Sequence, residues 1–313
     1  MKIVVIEPLG VDKQILDALK CELLPQDAEL IYYEDRAESP EELIRRGRDA
    51  DVVVVANQPL PAEVIRGFEN LKMLSVAFTG YDHIAMDACK EKGVVVCNCA
   101  GYSTAAVADL VFGLLISLYR HIRECDQRIR QGETKAGLIG PELEGKKFGV
   151  IGTGAIGSRV ASIARAFGCE VYAYSRTPKA LDEVRYTGLN ELLEQCDIVS
   201  VHVPLNEQTK GMIGREQLNR MKKNAVLINT ARGPVVDSEA LAQALTEGKI
   251  AGCGIDVFEQ EPPIQDHPLY HTPNTLLTPH VAFATTEALI KRARIAYANI
   301  TGWIQGRVQN RVG

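Results

Sequence analysis

No window of the chain holds the ~20 consecutive apolar residues that a helix needs to cross a bilayer. The first ten residues, MKIVVIEPLG, lack the basic start, long apolar stretch and cleavage site of a secretory leader and read as a first strand. No membrane association is expected, and the expected setting is the cytoplasm. A basic surplus is missing too: 35 Lys and Arg against 40 Asp and Glu leave a net charge of −5. That argues against nucleic acid as a partner, because neutralising phosphates needs a basic surface. The basic pairs Arg45–Arg46, Lys146–Lys147 and Lys222–Lys223 are scattered and read as solvated surface. Among eight cysteines only Cys97 and Cys99 are close, and no second pair completes a ligand pattern, so no metal is expected. The cysteines read as small buried apolar side chains in a reducing compartment. No short-period repeat and no low-complexity tract is present.

What is there is a globular composition, 46% apolar and 24% charged, over 313 residues, a length that suits two domains. Short β-branched runs at 2–7, 50–56, 71–77 and 93–98 are continuously apolar, the pattern of strands buried on both faces. Helically spaced VDKQILDALK and PAEVIRGF lie between them. A second series follows at 146–152, 169–175, 196–204, 224–231, 252–258 and 275–280. Such βαβ rhythm predicts an α/β protein with two doubly wound parallel-sheet, Rossmann-like domains. Between the series, residues 104–132 read as one helix of about seven turns, apolar nearly all round in its first half and so covered on more than one side. After His280 one last helix, TTEALIKRARIAYANITGWIQG, is expected to return to the first sheet. The domains are expected at 1–99 with 284–313 and, inserted between them, 100–283.

GTGAIG, residues 152–157, closes the strand KKFGVI and opens the helix SRVASIARAFG, the context that turns a weak glycine pattern into a dinucleotide loop. Gly152 permits the tight turn, Gly154 lets the backbone approach a pyrophosphate, and Gly157 lets helix and strand pack closely. The helix start offers amide N–H groups and partial positive charge to phosphates. Such units usually carry an acid near position 175 for the adenosine ribose 2′-hydroxyl. The stretch VYAYSRTPK places Ser175, Arg176 and Thr177 there, with Lys179 close by. Hydroxyls and a planar cationic fork suit a 2′-phosphate. The expected cofactor is NADP(H), with NAD(H) possible.

Three residues stand at predicted strand ends in the second half: Arg232 in INTARGPVVD, Glu261 in DVFEQEPP and His280 in LTPHVA. Carboxyl ends of strands line the ligand crevice of such sheets. Downstream of a dinucleotide loop the three fit hydride transfer to a 2-oxo acid. Arg232 can grip a carboxylate with two parallel hydrogen bonds. A histidine titrates near pH ~6.5 unperturbed, and a Glu261 carboxylate would favour the imidazolium, a general acid for reduction.

The chain resembles the D-isomer-specific 2-hydroxyacid dehydrogenase family throughout, through GTGAIG, SVHVPLNEQTKGMI, INTARGPVVD, DVFEQEP and TPHVAFATTEA in the family's order. The resemblance implies Arg232, Glu261 and His280 as catalytic residues acting on a small 2-oxo or 2-hydroxy acid. It implies Ala155, Ile156, His202, Pro204, Thr209, Thr230 and Asp256 beside the cofactor, with Asp256 near the nicotinamide carboxamide. It implies the Thr79 and Gly80 backbone as a second carboxylate cradle, Tyr102 over the substrate, and a homodimer built on the nucleotide domain. It assigns substrate binding to the flavodoxin-like outer domain.

Departures narrow the choice. Glu261 stands where the formate-oxidising branch carries Gln. Phosphoglycerate-specific members place arginines where this chain has Asn57 and Gln58, and no appended regulatory domain is expected. SRT at 175–177 is similar to NADPH-using glyoxylate and hydroxypyruvate reductases. A dinucleotide-sensing, corepressor-like protein is the alternative from another class, disfavoured because no disordered tail or extra interaction segment is evident. Tyr81, Tyr102, Phe283 and Ala284 are candidate pocket residues; the small Ala284 favours room for a bulky substituent.

Overall fold

The apolar β-branched runs become the strands of two sheets, and every strand pairing in both sheets is parallel. The structure, a computed structural model, describes residues 1–313. The chain divides into two compact units, Met1–Ser103 with Ala284–Gly313, and Thr104–Phe283.

The first unit begins with β1 (Lys2–Val5), α1 (Lys13–Leu23), β2 (Glu29–Tyr32), α2 (Pro40–Gly47), β3 (Val52–Val55), α3 (Ala62–Gly67), β4 (Met73–Val76), α4 (Met86–Glu91) and β5 (Val95–Asn98). The sheet order is β2-β1-β3-β4-β5, so the connection direction reverses between β1 and β3. All four valines of β3 are fully buried, as helices on both faces require. Each such valine contributes about 1.5–3 kcal/mol relative to an exposed one.

The second unit holds α5 (Thr104–Tyr119), α6 (Ile122–Arg130), β6 (Lys147–Ile151), α7 (Ala155–Ala166), β7 (Glu170–Tyr174), β8 (Val184–Tyr186), α8 (Leu189–Gln195), β9 (Ile198–Val201), α9 (Arg215–Arg220), β10 (Val226–Asn229), α10 (Ser238–Thr246), β11 (Gly252–Ile255) and β12 (Thr275–Leu277). Its sheet runs β12-β11-β10-β9-β6-β7-β8, with the reversal between β6 and β9. One core layer packs Phe148, Val150 and Val171 against α5 and α7; the other packs Ile151, Val199 and Leu227 against α8, α9 and α10. The chain then forms α11 (Thr286–Ile304), which belongs to the first unit and packs on α1 and β4. The Ser75 hydroxyl donates to the Ala296 carbonyl at 3.0 Å, and the Asn299 amide donates to the Asn98 carbonyl at 2.8 Å.

The structure differs from the sequence reading in three places. Residues 104–132 form two helices bent by 56°, because His121 adopts left-handed backbone with φ 49°. The apolar face ends there as well: α5 is largely buried, and α6 buries nothing. No single helix is long and apolar enough to cross a membrane. Strands β2 and β8 escape the apolar-run signal because they are sheet edges, half-exposed and only four and three residues long. Six of the eight cysteines are buried, whereas Cys21 is exposed and Cys125 half-buried on the polar helix α6.

Candidate active site

The glycine loop lies at the point where the second sheet reverses direction, the place where ligands bind in open α/β sheets. Gly152 has φ +95°, and a Cβ there would stand 2.7 Å from the His202 carbonyl oxygen. A Cβ on Gly157 would overlap the Gly152 carbonyl oxygen, so only glycine lets α7 approach β6. At Gly154, by contrast, no atom lies within 4 Å of a Cβ, which leaves backbone open to a ligand. No side chain caps α7, so the first-turn amides around Ala155 and Ile156 remain for an anion.

His202, beyond β9, is half-buried, and its partial loss of solvent lowers its pKa to about 3, keeping the ring neutral; Nε2 lies 2.8 Å from the Ser200 hydroxyl. The Thr209 hydroxyl donates to the Pro204 carbonyl at 2.6 Å and fixes the next turn. The Thr230 hydroxyl is buried without a hydrogen-bond partner, and a cofactor amide would supply one. Open backbone at Gly154, uncapped amides and an orphaned hydroxyl together fit a dinucleotide.

Beyond β7, Arg176 and Thr177 are exposed and Ser175 half-exposed. Ser175 Oγ donates to the Thr177 carbonyl at 3.2 Å, and Arg176 Nη1 donates to Gln208 Oε1 at 3.3 Å. Tyr186 had no assigned role in the sequence reading. Its hydroxyl accepts from the Lys179 amide at 3.0 Å and donates to Thr153 Oγ1 at 3.2 Å.

The other end of the sheet brings two of the proposed catalytic residues into contact. His280 Nδ1 lies 2.6 Å from Glu261 Oε2, and the Phe258 amide donates to Glu261 Oε1 at 3.3 Å. Burial of the Glu261 carboxyl works to raise its pKa. The hydrogen bond and charge of His280, the Phe258 amide and the Arg232 guanidinium outweigh that and hold it below the ordinary glutamate range. Arg232 is thus close enough for its charge to act on Glu261. The turn that carries it is shaped by Asn229, whose Oδ1 accepts from the Ala231 amide and whose Nδ2 donates to the Arg232 carbonyl, both at 3.0 Å.

His280 itself has left-handed backbone, φ 52°, unusual for a residue with a side chain. Asp256 accounts for it. The Thr278 hydroxyl donates to Oδ1 at 2.6 Å, the Val281 amide to Oδ1 at 2.8 Å and the Ala282 amide to Oδ2 at 2.9 Å. The Asp256 carbonyl accepts from the His280 amide at 2.7 Å. Asp256 is fully buried, and that burial raises its pKa despite the three donors and the nearby His280. Sequence reasoning placed Asp256 beside the cofactor and missed this clamp. The available signal was an acid directly after the buried strand GCGI, and likewise an amide closing VLIN.

In the first unit, Thr79 and Gly80 follow β4, and the Thr79 carbonyl accepts from Asn98 Nδ2 at 2.7 Å. Tyr102 is buried against Phe78, ring centroids 6.1 Å apart, and its hydroxyl pKa is pushed up to about 12, chiefly by burial. Tyr81 lies on the surface. Phe283, in the second unit, stands edge-on to His280 at 5.4 Å. Beyond β3, the amides of Ala56 and Gln58 both donate to Glu7 Oε1 at 2.8 Å, and Arg36 Nε lies 3.4 Å from Glu7 Oε2.

The sequence model for the D-isomer specific 2-hydroxyacid dehydrogenase, NAD binding domain, matches residues 112–282. The chain belongs to that family. It is an NAD(P)-dependent oxidoreductase of CH–OH donors, and its reaction interconverts a small 2-oxo acid and a 2-hydroxy acid. It is 39% identical over 299 residues to the glyoxylate reductase of Thermofilum pendens, covering 91% of this chain and 88% of that one. It is 34% identical over 322 residues, 99% of both chains, to the hydroxypyruvate reductase of Blautia hydrogenotrophica. Among solved structures, an acyclic imino acid reductase in complex with NADPH and D-Arg superposes with a TM-score of 0.92 at 30% identity over 100% of each chain.

Proposed function

We propose that the chain reduces a small unphosphorylated 2-oxo acid, such as glyoxylate, hydroxypyruvate, pyruvate or a larger analogue, to the D-2-hydroxy acid, with NADPH preferred to NADH. The observation that carries this reading is the 2.6 Å contact between His280 Nδ1 and Glu261 within the field of Arg232. Glu261 orients the ring so that Nε2 faces away from it, and His280 gives the Nε2 proton to the carbonyl oxygen as that oxygen gains charge. Arg232 binds the substrate carboxylate. Asp256 keeps His280 in its strained turn. When bound, the nicotinamide dinucleotide supplies the hydride. Gly152, Gly154, Ala155, Ile156 and Gly157 would hold its pyrophosphate, with Thr230 beside the nicotinamide. Ser175, Arg176 and Thr177 would hold a 2′-phosphate, for which the exposed guanidinium and hydroxyls are suitable donors.

An unphosphorylated substrate is supported by the end of β3. There Asn57 and Gln58 offer no cation, and Arg36 is paired with Glu7. Initial rates with both cofactors over glyoxylate, hydroxypyruvate, pyruvate, phenylpyruvate and phosphohydroxypyruvate test the reading. The expected result is turnover of an unphosphorylated acid with NADPH favoured. Ser175→Asp should reverse the preference, shifting the NADPH-to-NADH ratio of kcat/KM by about 100-fold, or ~2.7 kcal/mol. A wild-type preference for NADH overturns the cofactor reading; phosphohydroxypyruvate as sole substrate overturns the substrate reading.

A further inference from the structure

A single side chain ties the two loops that would hold opposite ends of the adenosine diphosphate portion. Tyr186 ends the edge strand β8 and pairs in register with Ala173, which pairs with Val150. In parallel strands, paired residues face the same side, and Val150 faces α7. Tyr186 is therefore on the side from which the glycine loop enters α7, and the small Ala173 side chain leaves its ring a path over β7. Its hydroxyl reaches Thr153 Oγ1, inside the glycine loop, at 3.2 Å. The same oxygen accepts from the Lys179 amide at 3.0 Å. Thr153 is buried and held in turn, since its carbonyl accepts from Ser158 Oγ at 3.0 Å. The anchor is rigid on one side and carries an exposed loop on the other.

We propose that Tyr186 is a positioning residue for cofactor discrimination. Its hydroxyl fixes the Ser175–Lys179 loop to the glycine loop, so that donors to a 2′-phosphate stand ready when the 5′-phosphate is seated. The inference rests on the NADPH reading above. It adds that the discrimination depends on a residue that need not touch the phosphate. Without the hydroxyl, the loop must be ordered by the nucleotide itself, which weakens binding of the 2′-phosphorylated form alone.

The test compares wild type with Tyr186→Phe on the full chain, using calorimetric titration with adenosine 2′,5′-bisphosphate and with adenosine 5′-monophosphate, and hydrogen exchange at the Lys179 amide. Phe keeps the ring, so thermal melting should stay near that of wild type. Affinity for the bisphosphate should fall roughly three- to tenfold, the worth of a lost hydrogen bond. Affinity for the monophosphate should change by less than about twofold, and Lys179 exchange should accelerate. If Tyr186→Phe does not fold, Thr153→Val breaks the same bridge at its other end and takes its place. Equal losses for both nucleotides mean that the hydroxyl merely supports the glycine loop, and they overturn the proposal. So does a preference for the bisphosphate that survives the substitution intact. A wild type that binds the two nucleotides equally overturns the NADPH reading itself, and this inference with it.

Discussion

His280 and Arg176 both stand just beyond strands of the second sheet, β12 and β7, but their surroundings differ. His280 sits in a left-handed turn that a buried carboxylate clamps through three donors, and its ring meets Glu261 at 2.6 Å. Arg176 stands in the open, with one 3.3 Å contact to Gln208, on a loop anchored through the Tyr186 hydroxyl. Proton transfer needs a donor held to within a fraction of an ångström, and buried hydrogen bonds to an acid supply that. Recognition of a phosphate at the rim needs only charge and donors within reach, so solvent-exposed side chains suffice. The clamped turn should therefore tolerate little, whereas the loop should accept substitutions that alter preference without abolishing turnover.

Removing the imidazole tests the first half of that contrast most severely. His280→Ala should lower kcat for 2-oxo acid reduction by about 10²–10⁴, the usual contribution of a general acid, with NADPH still bound when titrated by fluorescence. A variant with unaltered kcat removes His280 from the role.

Next comes the clamp. Asp256→Asn turns one acceptor into a donor that faces the Thr278, Val281 or Ala282 donors. It should cost ~2–4 kcal/mol in urea unfolding and reduce kcat roughly tenfold or more as the His280 turn relaxes. The sign with pH is specific. Burial raises the folded-state pKa of Asp256. Its contribution to stability is therefore complete at low pH and is lost as pH climbs through that value. Asn lacks the slope, so the stability gap between variant and wild type should narrow as pH rises.

A smaller effect is expected at Glu261. Its carboxylate holds the His280 ring through Nδ1 at 2.6 Å. Glu261→Gln keeps a hydrogen-bonding group there but removes the charge, so kcat for reduction should fall by about tenfold, less than in His280→Ala. An unaltered kcat would mean that the charge of Glu261 contributes nothing to turnover. Below all of these lies Tyr186→Phe, whose effect of roughly three- to tenfold is confined to one class of nucleotide.

Much of this was legible beforehand, for local reasons. Continuous β-branched runs such as VVVV announced parallel strands buried on both faces, and a glycine at 157 announced a helix pressed against its strand. Arg232, Glu261 and His280 could be placed at strand ends by counting, and the contact between the last two followed. The edge strands were not legible, because ELIY and VRY carry too little apolar content to stand out. Neither was the break at His121, since apolar spacing shows which face is covered and does not reveal a single left-handed residue.

The amino-acid sequence by itself determined the two parallel sheets, the dinucleotide loop and the identity of the groups at the strand ends. Those features follow from backbone sterics and burial acting over a few residues at a time. Only the tertiary structure decided that Asp256 holds the turn of His280 and that Tyr186 joins the glycine loop to the Ser175–Lys179 loop. Each depends on hydrogen bonds between groups distant in sequence, 22 to 26 residues for the Asp256 side chain and 33 for Tyr186 to Thr153. Such bonds form where folded strands bring donor and acceptor within 3.2 Å, and no local pattern encodes that distance.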